Sequence, residues 1–244
     1  MSIPIALQLY TVRNELADDF EGVIRKIAEF GYAGVEPTDF VIPQDISYSD
    51  AGKLFKELNL HVPSVYMSSK ASKDSILETA AQFNSKRIIL SANPFDSVND
   101  IKRICDFYNE VYLLAKENDL EFAVHNHIHE FLEIEGKLAH QIMLEHLDPG
   151  ISFEIDAYWV KMARQDPVEI IKNLGPRVKL FHIRDGFLHK GEDMVAVGKG
   201  LMDYPSIIRA ATHVDWLIVE FGSSATDTME AVGESLIYLE NLEI

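Results

Sequence analysis

The sequence predicts a (β/α)8 barrel, and three observations support this fold class. Short apolar runs typical of buried strands alternate with amphipathic stretches along the whole chain. Eight units of each kind fit into 244 residues, which is the usual size of such a barrel. Several apolar runs end on polar side chains, as expected where the carboxyl ends of barrel strands form an active site.

We expect one domain over residues 1–244, because no linker or change of composition divides the chain. An open, doubly wound parallel sheet is the alternative fold class, but it usually has fewer units or a glycine-rich first turn. No Gly-x-Gly-x-x-Gly pattern follows the first predicted strand, so we expect no dinucleotide site of that kind.

The predicted strands are the apolar runs, taken in chain order. They cover residues 5–9, 33–36, 60–66, 86–90, 121–127, 151–156, 178–183 and 216–221. Between them apolar residues recur at helical spacing; in the first such stretch Phe20, Ile24 and Ile27 share one face. The predicted helices cover residues 19–30, 48–58, 72–84, 97–118, 137–147, 167–174, 204–212 and 226–242, and the last ends near Glu240.

Start and stop signals agree with these helix boundaries. Ser49 and Asp50 precede the second predicted helix, and Asp166 followed by Pro167 opens the sixth. Gly31 closes the first helix, since glycine is favoured just after a helix end.

Composition and charge exclude several classes of partner. The apolar content is 47%, the charged content 25% and the formal net charge −17, which disfavours nucleic acids and anionic membranes. No apolar run reaches the ~20 residues of a membrane span, and the start of the chain does not resemble a signal peptide. The single cysteine, Cys105, cannot form an internal disulfide. We therefore expect a cytoplasmic protein without a membrane partner, and a homo-oligomer is compatible with the sequence.

The fifth predicted strand ends on His125-Asn126-His127. Side chains alternate along a strand, so the two imidazoles point to one face and Asn126 to the other. Two histidines so placed could converge on one small ligand or metal ion, or could be ordinary core or surface residues.

Three later strands end in the same way, which favours the first interpretation. The sixth strand ends on Asp156, the seventh on His182 and the eighth reaches Glu220. Because the carboxyl ends of barrel strands meet at one mouth, these groups predict a functional site.

Further polar groups fall at the same end of other predicted strands. They are Gln8 and Tyr10 on the first strand, Glu36 on the second, Tyr66 on the third, Ser91 and Asn93 after the fourth, and Arg184 and Asp185 after His182. The longest loop, residues 186–201, contains Gly198 and Gly200. This glycine pair could bind a phosphate or could simply be part of a flexible loop.

Several motifs resemble a known family. They are Gln8-Leu9-Tyr10-Thr11-Val12-Arg13, His125-Asn126-His127 with Glu130-Phe131, Asp156-Ala157-Tyr158-Trp159, His182-Ile183-Arg184-Asp185, and Val197-Gly198-Lys199-Gly200 with Asp203-Tyr204-Pro205. In this order they resemble the xylose-isomerase-like TIM barrels, the sugar phosphate isomerase/epimerase superfamily, and its branch with a His-Asn-His fifth strand. The resemblance covers essentially the whole chain.

The resemblance implies one divalent ion, such as manganese, cobalt, zinc or magnesium, held by His125, Asp156, His182 and Glu220. A mixed nitrogen and oxygen set of this kind suits Mn²⁺, Co²⁺, Zn²⁺ or Fe²⁺ better than Ca²⁺. Where the family usually has a glutamate on strand 5, this chain has His125. Tyr66 also departs from the family pattern, where a histidine is common, and so does Phe221-Gly222, where relatives often have Gln-Asp.

The expected chemistry is proton transfer next to a metal-polarised carbonyl, through an enediolate. His127 is the first candidate for the base, because it lies beside His125 but is not needed as a ligand. Glu36 is the second, although pairing with Arg13 is an equally good interpretation, and Glu220 is a further candidate. Glu154, on the same face as Asp156, is expected to support the ligands or to form an internal ion pair.

Substrate contacts are expected from Gln8, Tyr10, Tyr66, Trp159 and Arg184. For Trp159 the alternative is a packing residue at the barrel rim, and for Arg184 a structural salt bridge. His129 and Glu130, in the loop after strand 5, could orient the substrate. His140, His146 and His213 are expected to be surface residues.

The favoured function is a metal-dependent isomerase or epimerase of a small keto-sugar or polyol. A lyase on the same scaffold, which dehydrates a keto-polyol or cleaves a keto-glycoside by β-elimination, is the alternative, because the strand-5 glutamate is missing. An abasic-site endonuclease is disfavoured by the negative charge and the few ligands. A sugar-binding protein without catalysis, or one subunit of a heteromeric enzyme, is the remaining alternative.

Overall fold

The computed structural model describes residues 3–68 and 71–242 and contains eight parallel strands in a nearly closed barrel. The barrel strands are β1 (Ile5–Gln8), β2 (Gly34–Glu36), β3 (Val65–Met67), β4 (Arg87–Ser91), β5 (Glu121–His125), β6 (Ser152–Asp156), β7 (Val178–Ile183) and β8 (Trp216–Val219). Hydrogen bonds join them in the order β2–β1–β8–β7–β6–β5–β4–β3. The predicted (β/α)8 barrel is confirmed.

Helices surround the barrel. They are α1 (Arg13–Asp18), α2 (Phe20–Phe30), α3 (Tyr48–Glu57), α4 (Lys73–Gln82), α5 (Val98–Glu117), α6 (Ala139–His146), α7 (Ala157–Met162), α8 (Pro167–Leu174), α9 (Tyr204–Ala210) and α10 (Thr228–Glu240). The last helix ends at Glu240, as predicted. None of the described helices is long and apolar enough to cross a membrane.

Two short helices were not predicted, because six residues are too few to show a helical period. They are α1 and α7, and each follows directly after the end of a barrel strand or its 3-10 turn. The predicted helix over residues 137–147 is shorter than expected, since Lys137–Leu138 pairs with Glu133–Ile134 in a small hairpin. Ser47, rather than Ser49 or Asp50, caps α3 by accepting a hydrogen bond from the Asp50 amide.

The seam between β2 and β3 explains why the third strand is shorter than predicted. Among the described residues, only isolated bridges join β2 to the β3 segment, Gly34 with His61 and Thr38 with Tyr66. Pro63 has no N–H to donate, so regular pairing begins only at Val65. A Cβ on Gly34 would lie 2.5 Å from the His61 carbonyl oxygen, so the close approach of the two segments requires glycine here.

Two apolar layers hold the barrel together. The larger one lies between the strands and the outer helices. A smaller one contains Ala6, Tyr66, Ile89, Ala123, Leu180 and Ile218, whose strand positions place them inside the barrel. Leu180 and Ile218 lie two residues before His182 and Glu220. The smaller apolar layer therefore lies directly below a polar layer at the barrel mouth.

Candidate metal centre

The ends of strands β5 to β8 bring the predicted metal-competent groups into one buried layer. Asp156 pairs with His182 across β6 and β7, so these side chains leave the sheet side by side. His125 pairs with Glu154 across β5 and β6. Glu220 follows β8 directly, and its amide donates to the Ile183 carbonyl at 3.0 Å.

His182 is the centre of this layer and is fully buried. Its Nδ1 lies 3.1 Å from Oε2 of Glu220. Its Nε2 lies 2.8 Å from Oε2 of Glu36 and 3.1 Å from Oε2 of Glu154. One imidazole therefore contacts three buried carboxylates.

Asp156, His182 and Glu220 form a first triplet, with one ligand atom from each lying within 4.8 Å of the others. Helix α7 fixes the carboxylate of Asp156, because Oδ1 accepts a hydrogen bond from the Trp159 amide at 3.1 Å. The other oxygen, Oδ2, has no hydrogen-bond partner among the described residues, although Nε of Arg184 lies 2.7 Å away. Arg184 also pairs with Glu220.

His125, Glu154 and His182 form a second triplet by the same criterion. Nδ1 of His125 lies 3.0 Å from Oε2 of Glu154. The ring centroids of His125 and His182 are 4.5 Å apart. The structure thus places three of the four expected ligands in one triplet and His125 in the adjoining one, with His182 common to both.

The layer has more buried carboxyl groups than cationic groups. Glu36, Glu154, Asp156 and Glu220 are buried, and Arg184 is the permanently charged group that pairs with any of them in the part of the chain that the structure describes. Burial, followed by the charge of Glu36, raises the pKa of Glu154 well above its usual value. Burial also raises the pKa of Asp156.

The pKa of His182 responds to the same charge. Burial lowers it, but the carboxylates of Glu154 and Glu36 outweigh this effect, so the net direction is upward. A divalent cation among these groups would relieve the repulsion between carboxylates. The buried Oε1 of Glu154, which has no hydrogen-bond partner among the described residues, and the mixed nitrogen and oxygen donors fit such a cation.

His127 lies beside the metal-competent groups, with its ring centroid 5.0 Å from that of His125. Burial lowers its pKa to about 4, so the ring is neutral at neutral pH. Its Nδ1 has no hydrogen-bond partner among residues 3–68 and 71–242. Glu130 accepts a hydrogen bond from the His127 amide at 2.9 Å, and the His129 ring stacks on the His127 ring.

The other predicted substrate residues surround the layer. The hydroxyl of Tyr66 donates to Oγ of Ser91 at 2.6 Å, and its ring lies 5.3 Å from that of His125. Gln8 is buried, and its Oε1 has no partner within the described ranges. Trp159 is half-buried, and the Arg184 guanidinium lies 5.1 Å from its ring centroid. Tyr10 lies further out, where the Arg13 guanidinium stacks on its ring at 4.1 Å.

Two interpretations from the sequence are wrong. Glu36 does not pair with Arg13; it accepts a hydrogen bond from Ser64 at 2.5 Å and contacts His182, whereas Arg13 donates to the carbonyls of Tyr10 and Gly222. His140 is not a surface residue, because its ring is half-buried 4.9 Å from the ring of Phe131.

In the long loop, the backbone amides of the glycine pair bind a carboxylate of the protein itself. The amides of Gly198 and Gly200 each donate to Oδ2 of Asp185 at 3.0 Å. The amides of Gly186 and Met202 donate to Oδ1 of the same buried carboxylate. A Cβ on Gly200 would lie 2.1 Å from Oδ1, so glycine is required there. These amides are therefore engaged by the protein itself.

Glu154 contributes more to the site than the sequence indicated. We expected a supporting residue, but its Oε2 contacts both His125 and His182. Its position two residues before Asp156 was the available signal. Ser64, which orients Glu36, was missed; its position two residues before Tyr66, on the same face of the predicted strand over residues 60–66, was the available signal.

Comparison with known proteins agrees with this fold. A sugar phosphate isomerase/epimerase from Parabacteroides distasonis ATCC 8503 superposes on this chain with a TM-score of 0.85 and 23% sequence identity. The match covers 100% of this chain and 95% of that protein. A probable 3-DHS dehydratase from Bacillus anthracis has a TM-score of 0.77 and 14% identity over 98% of this chain and 99% of its own. The IOLI protein, whose structure contains a zinc atom, has a TM-score of 0.77 and 13% identity over 99% and 100% of the two chains.

No curated protein matches this sequence at a significant level. The family model for the xylose isomerase-like TIM barrel, in contrast, matches residues 24–242. The chain therefore belongs to the xylose isomerase-like TIM barrel family.

Proposed function

We propose that this protein is a divalent-metal-dependent isomerase or epimerase of a small keto-sugar or polyol. The observation that carries the proposal is the convergence of Asp156, His182 and Glu220 at the barrel mouth, with one ligand atom of each within 4.8 Å of the others. Metal sites in similar folds include zinc, as in the IOLI protein. Mn²⁺, Co²⁺, Zn²⁺ and Mg²⁺ are the candidate ions.

Asp156, His182 and Glu220 would hold the ion, and His125 would complete the set from the adjoining triplet. A bound ion would polarise a substrate carbonyl and so acidify the neighbouring C–H. His127 then removes the proton at its free Nδ1, since that atom has no competing partner in the described chain. Glu36 and Glu220, which both contact His182, are the groups that could return a proton.

Five further residues would bind and orient the substrate. They are Gln8, Tyr10, Tyr66, Trp159 and Arg184. Trp159 offers an aromatic face to sugar C–H groups, and the unpartnered Oε1 of Gln8 can accept a hydrogen bond from a hydroxyl. Arg184, whose guanidinium lies beside the Trp159 ring, would contact a substrate oxygen.

A lyase acting on a keto-polyol or keto-glycoside is the second candidate. The fold of the probable dehydratase from Bacillus anthracis favours it, and so does His125, because the family resemblance implies a glutamate at this position of strand 5. Both reactions begin with the same proton removal, so they differ only in whether a β-substituent leaves.

The test is solvent-deuterium exchange into a panel of ketoses and 3-keto-sugars with the Mn²⁺-loaded protein, followed by mass spectrometry of the products. Incorporation of deuterium into an isomer or epimer is expected. Unsaturated products would favour the lyase instead. No metal-dependent exchange into any member of the panel would contradict both reactions.

A further inference from the structure

A cavity of about 450 Å³ lies beside the candidate metal centre, between the end of β4 and helix α5. Leu90 and Ser91 form its wall on the strand side. Helix α5 contributes Ile104, Phe107 and Tyr108, among others, and the loop over residues 92–96 forms the remaining wall. We call it the β4–α5 cavity. Its volume lies in the range of ordinary small-molecule sites, about 300–1,000 Å³.

Two contacts connect this cavity to the centre. Ser91 accepts a hydrogen bond from Tyr66, whose ring packs against His125. On the other side, Phe95 packs edge to face on His129, with ring centroids 5.1 Å apart, and His129 stacks on His127. On each route one side chain, Tyr66 or His129, therefore lies between the wall of the cavity and a histidine of the centre.

The lining suits a sugar ring. Phe95, Phe107 and Tyr108 offer aromatic surfaces, and Asn93 offers an amide. The Tyr108 hydroxyl is buried, with 2% of the residue exposed, and it has no hydrogen-bond partner in the described part of the chain. A buried polar group without a partner is costly, so a ligand hydroxyl that bonded to it would be favoured.

The charges around the cavity disfavour a phosphate. Asp96 and Asp100 both line it, against the single cation Arg103, which already pairs with Asp100. The amides of Gly198 and Gly200 in the long loop are also not free to bind a phosphate, because they donate to Asp185. A neutral polyhydroxylated group fits this cavity better than an anion does.

We propose that the β4–α5 cavity is a second substrate subsite, and that it binds a neutral second sugar ring attached to the ketose at the metal centre. This inference rests on the proposed function, since the first ring must lie at the barrel mouth. It identifies the substrate class as an unphosphorylated glycosyl-ketose and not a sugar phosphate.

Calorimetric binding to the Mn²⁺-loaded protein tests the subsite with probes that share a fructose ring. They are fructose, fructose 6-phosphate, and the glucosyl-fructoses turanose, maltulose, leucrose and isomaltulose. At least one glucosyl-fructose should bind about tenfold more tightly than fructose, and fructose 6-phosphate should gain nothing. Ile104→Trp, which fills the cavity, should abolish the gain. Leu113→Trp, on an exposed position of the same helix, should retain it.

The subsite is excluded if no glucosyl-fructose binds more tightly than fructose, if the gain survives in Ile104→Trp, or if fructose 6-phosphate is the tightest probe. Because binding is measured and not turnover, the two proposals can fail separately. A disaccharide gain without any metal-dependent deuterium exchange would overturn the proposed reaction and leave the subsite in place.

Discussion

The two carboxylate oxygens of Asp156 have different roles. Oδ1 caps helix α7 through the Trp159 amide, and this bond fixes the direction of the side chain. Oδ2 is thereby held in the buried layer beside His182, where Nε of Arg184 lies 2.7 Å away. A capping bond of this kind is worth about 0.5–2 kcal/mol, so a local helix signal also orients a candidate ligand.

At His127, substitution should separate catalysis from metal binding. His127→Ala should lower turnover roughly 10²–10⁴-fold, the usual effect of losing a general acid or base. It should leave the metal content unchanged, because the proposed ligands remain. Turnover and metal analysis of the same sample check both expectations. If the variant exchanges deuterium at the native rate, His127 is a binding residue and the proton moves through Glu36 or Glu220.

His140 should make the protein acid-sensitive. Burial lowers its pKa to about 4 in the folded state, while the unfolded ring keeps a pKa of about 6.5. The unfolded state therefore takes up a proton first, and stability is lost as the pH falls from about 6.5 to about 4. Between pH 7.5 and 5.0 this contribution is at most about 2 kcal/mol, since the ring is partly exposed.

The matched variant is His140→Leu, measured by urea unfolding at the two pH values. It should lose less stability on acidification than the native protein does, because the buried ring that resists protonation is gone. An equal loss in both proteins would show that His140 does not contribute.

Among the elements, the strands were predictable and the short helices were not. Alternating apolar runs marked the strands, because a strand enclosed by helices must be apolar. Helix α1 and helix α7 carry too few residues for periodicity. The third strand was predicted too long, since the effect of Pro63 depends on where the neighbouring strand lies.

The sequence also indicated one part of the site and not the other. In the sequence alone, strand ends and parity indicated His125, His127, Asp156, His182 and Glu220. The contact between Glu154 and His182 depends on the stagger between β6 and β7, where the register shifts near Phe153. Nothing in the local sequence determines such a shift, so the sequence could not show which carboxylates would meet.

The loop after β7 allows a test of how a single side chain orders a whole segment. Asp185→Ala removes the acceptor of four backbone amides and should lower the free energy of unfolding by about 3–5 kcal/mol, as expected for breaking a buried charged network. Hydrogen exchange at Gly198, Gly200 and Met202 should accelerate. Asp193→Ala, at an exposed position of the same loop, is the control and should have little effect. Unchanged protection in Asp185→Ala would contradict the structural role of this carboxylate.

For the whole molecule, a cation that binds only the folded barrel should stabilise it. At a free Mn²⁺ concentration of one hundred times the dissociation constant, the gain should be about 2.7 kcal/mol. For a domain of this size the melting temperature should then rise by roughly 5–10 °C. A thermal scan with and without Mn²⁺ measures this, with Asp156→Ala as the control that should not respond. A shift of the same size in both proteins would indicate non-specific binding to the acidic surface.

The most direct measurement of the central claim is the metal content after dialysis against Mn²⁺ and removal of free ion. The native protein should retain about one equivalent, and Asp156→Ala should retain almost none, because that variant loses a ligand from the first triplet. Glu234→Ala, which removes an exposed carboxylate paired with Lys199, should retain the native amount. A native protein that holds no ion, or an Asp156→Ala variant that holds as much as the native protein, would contradict the metal centre.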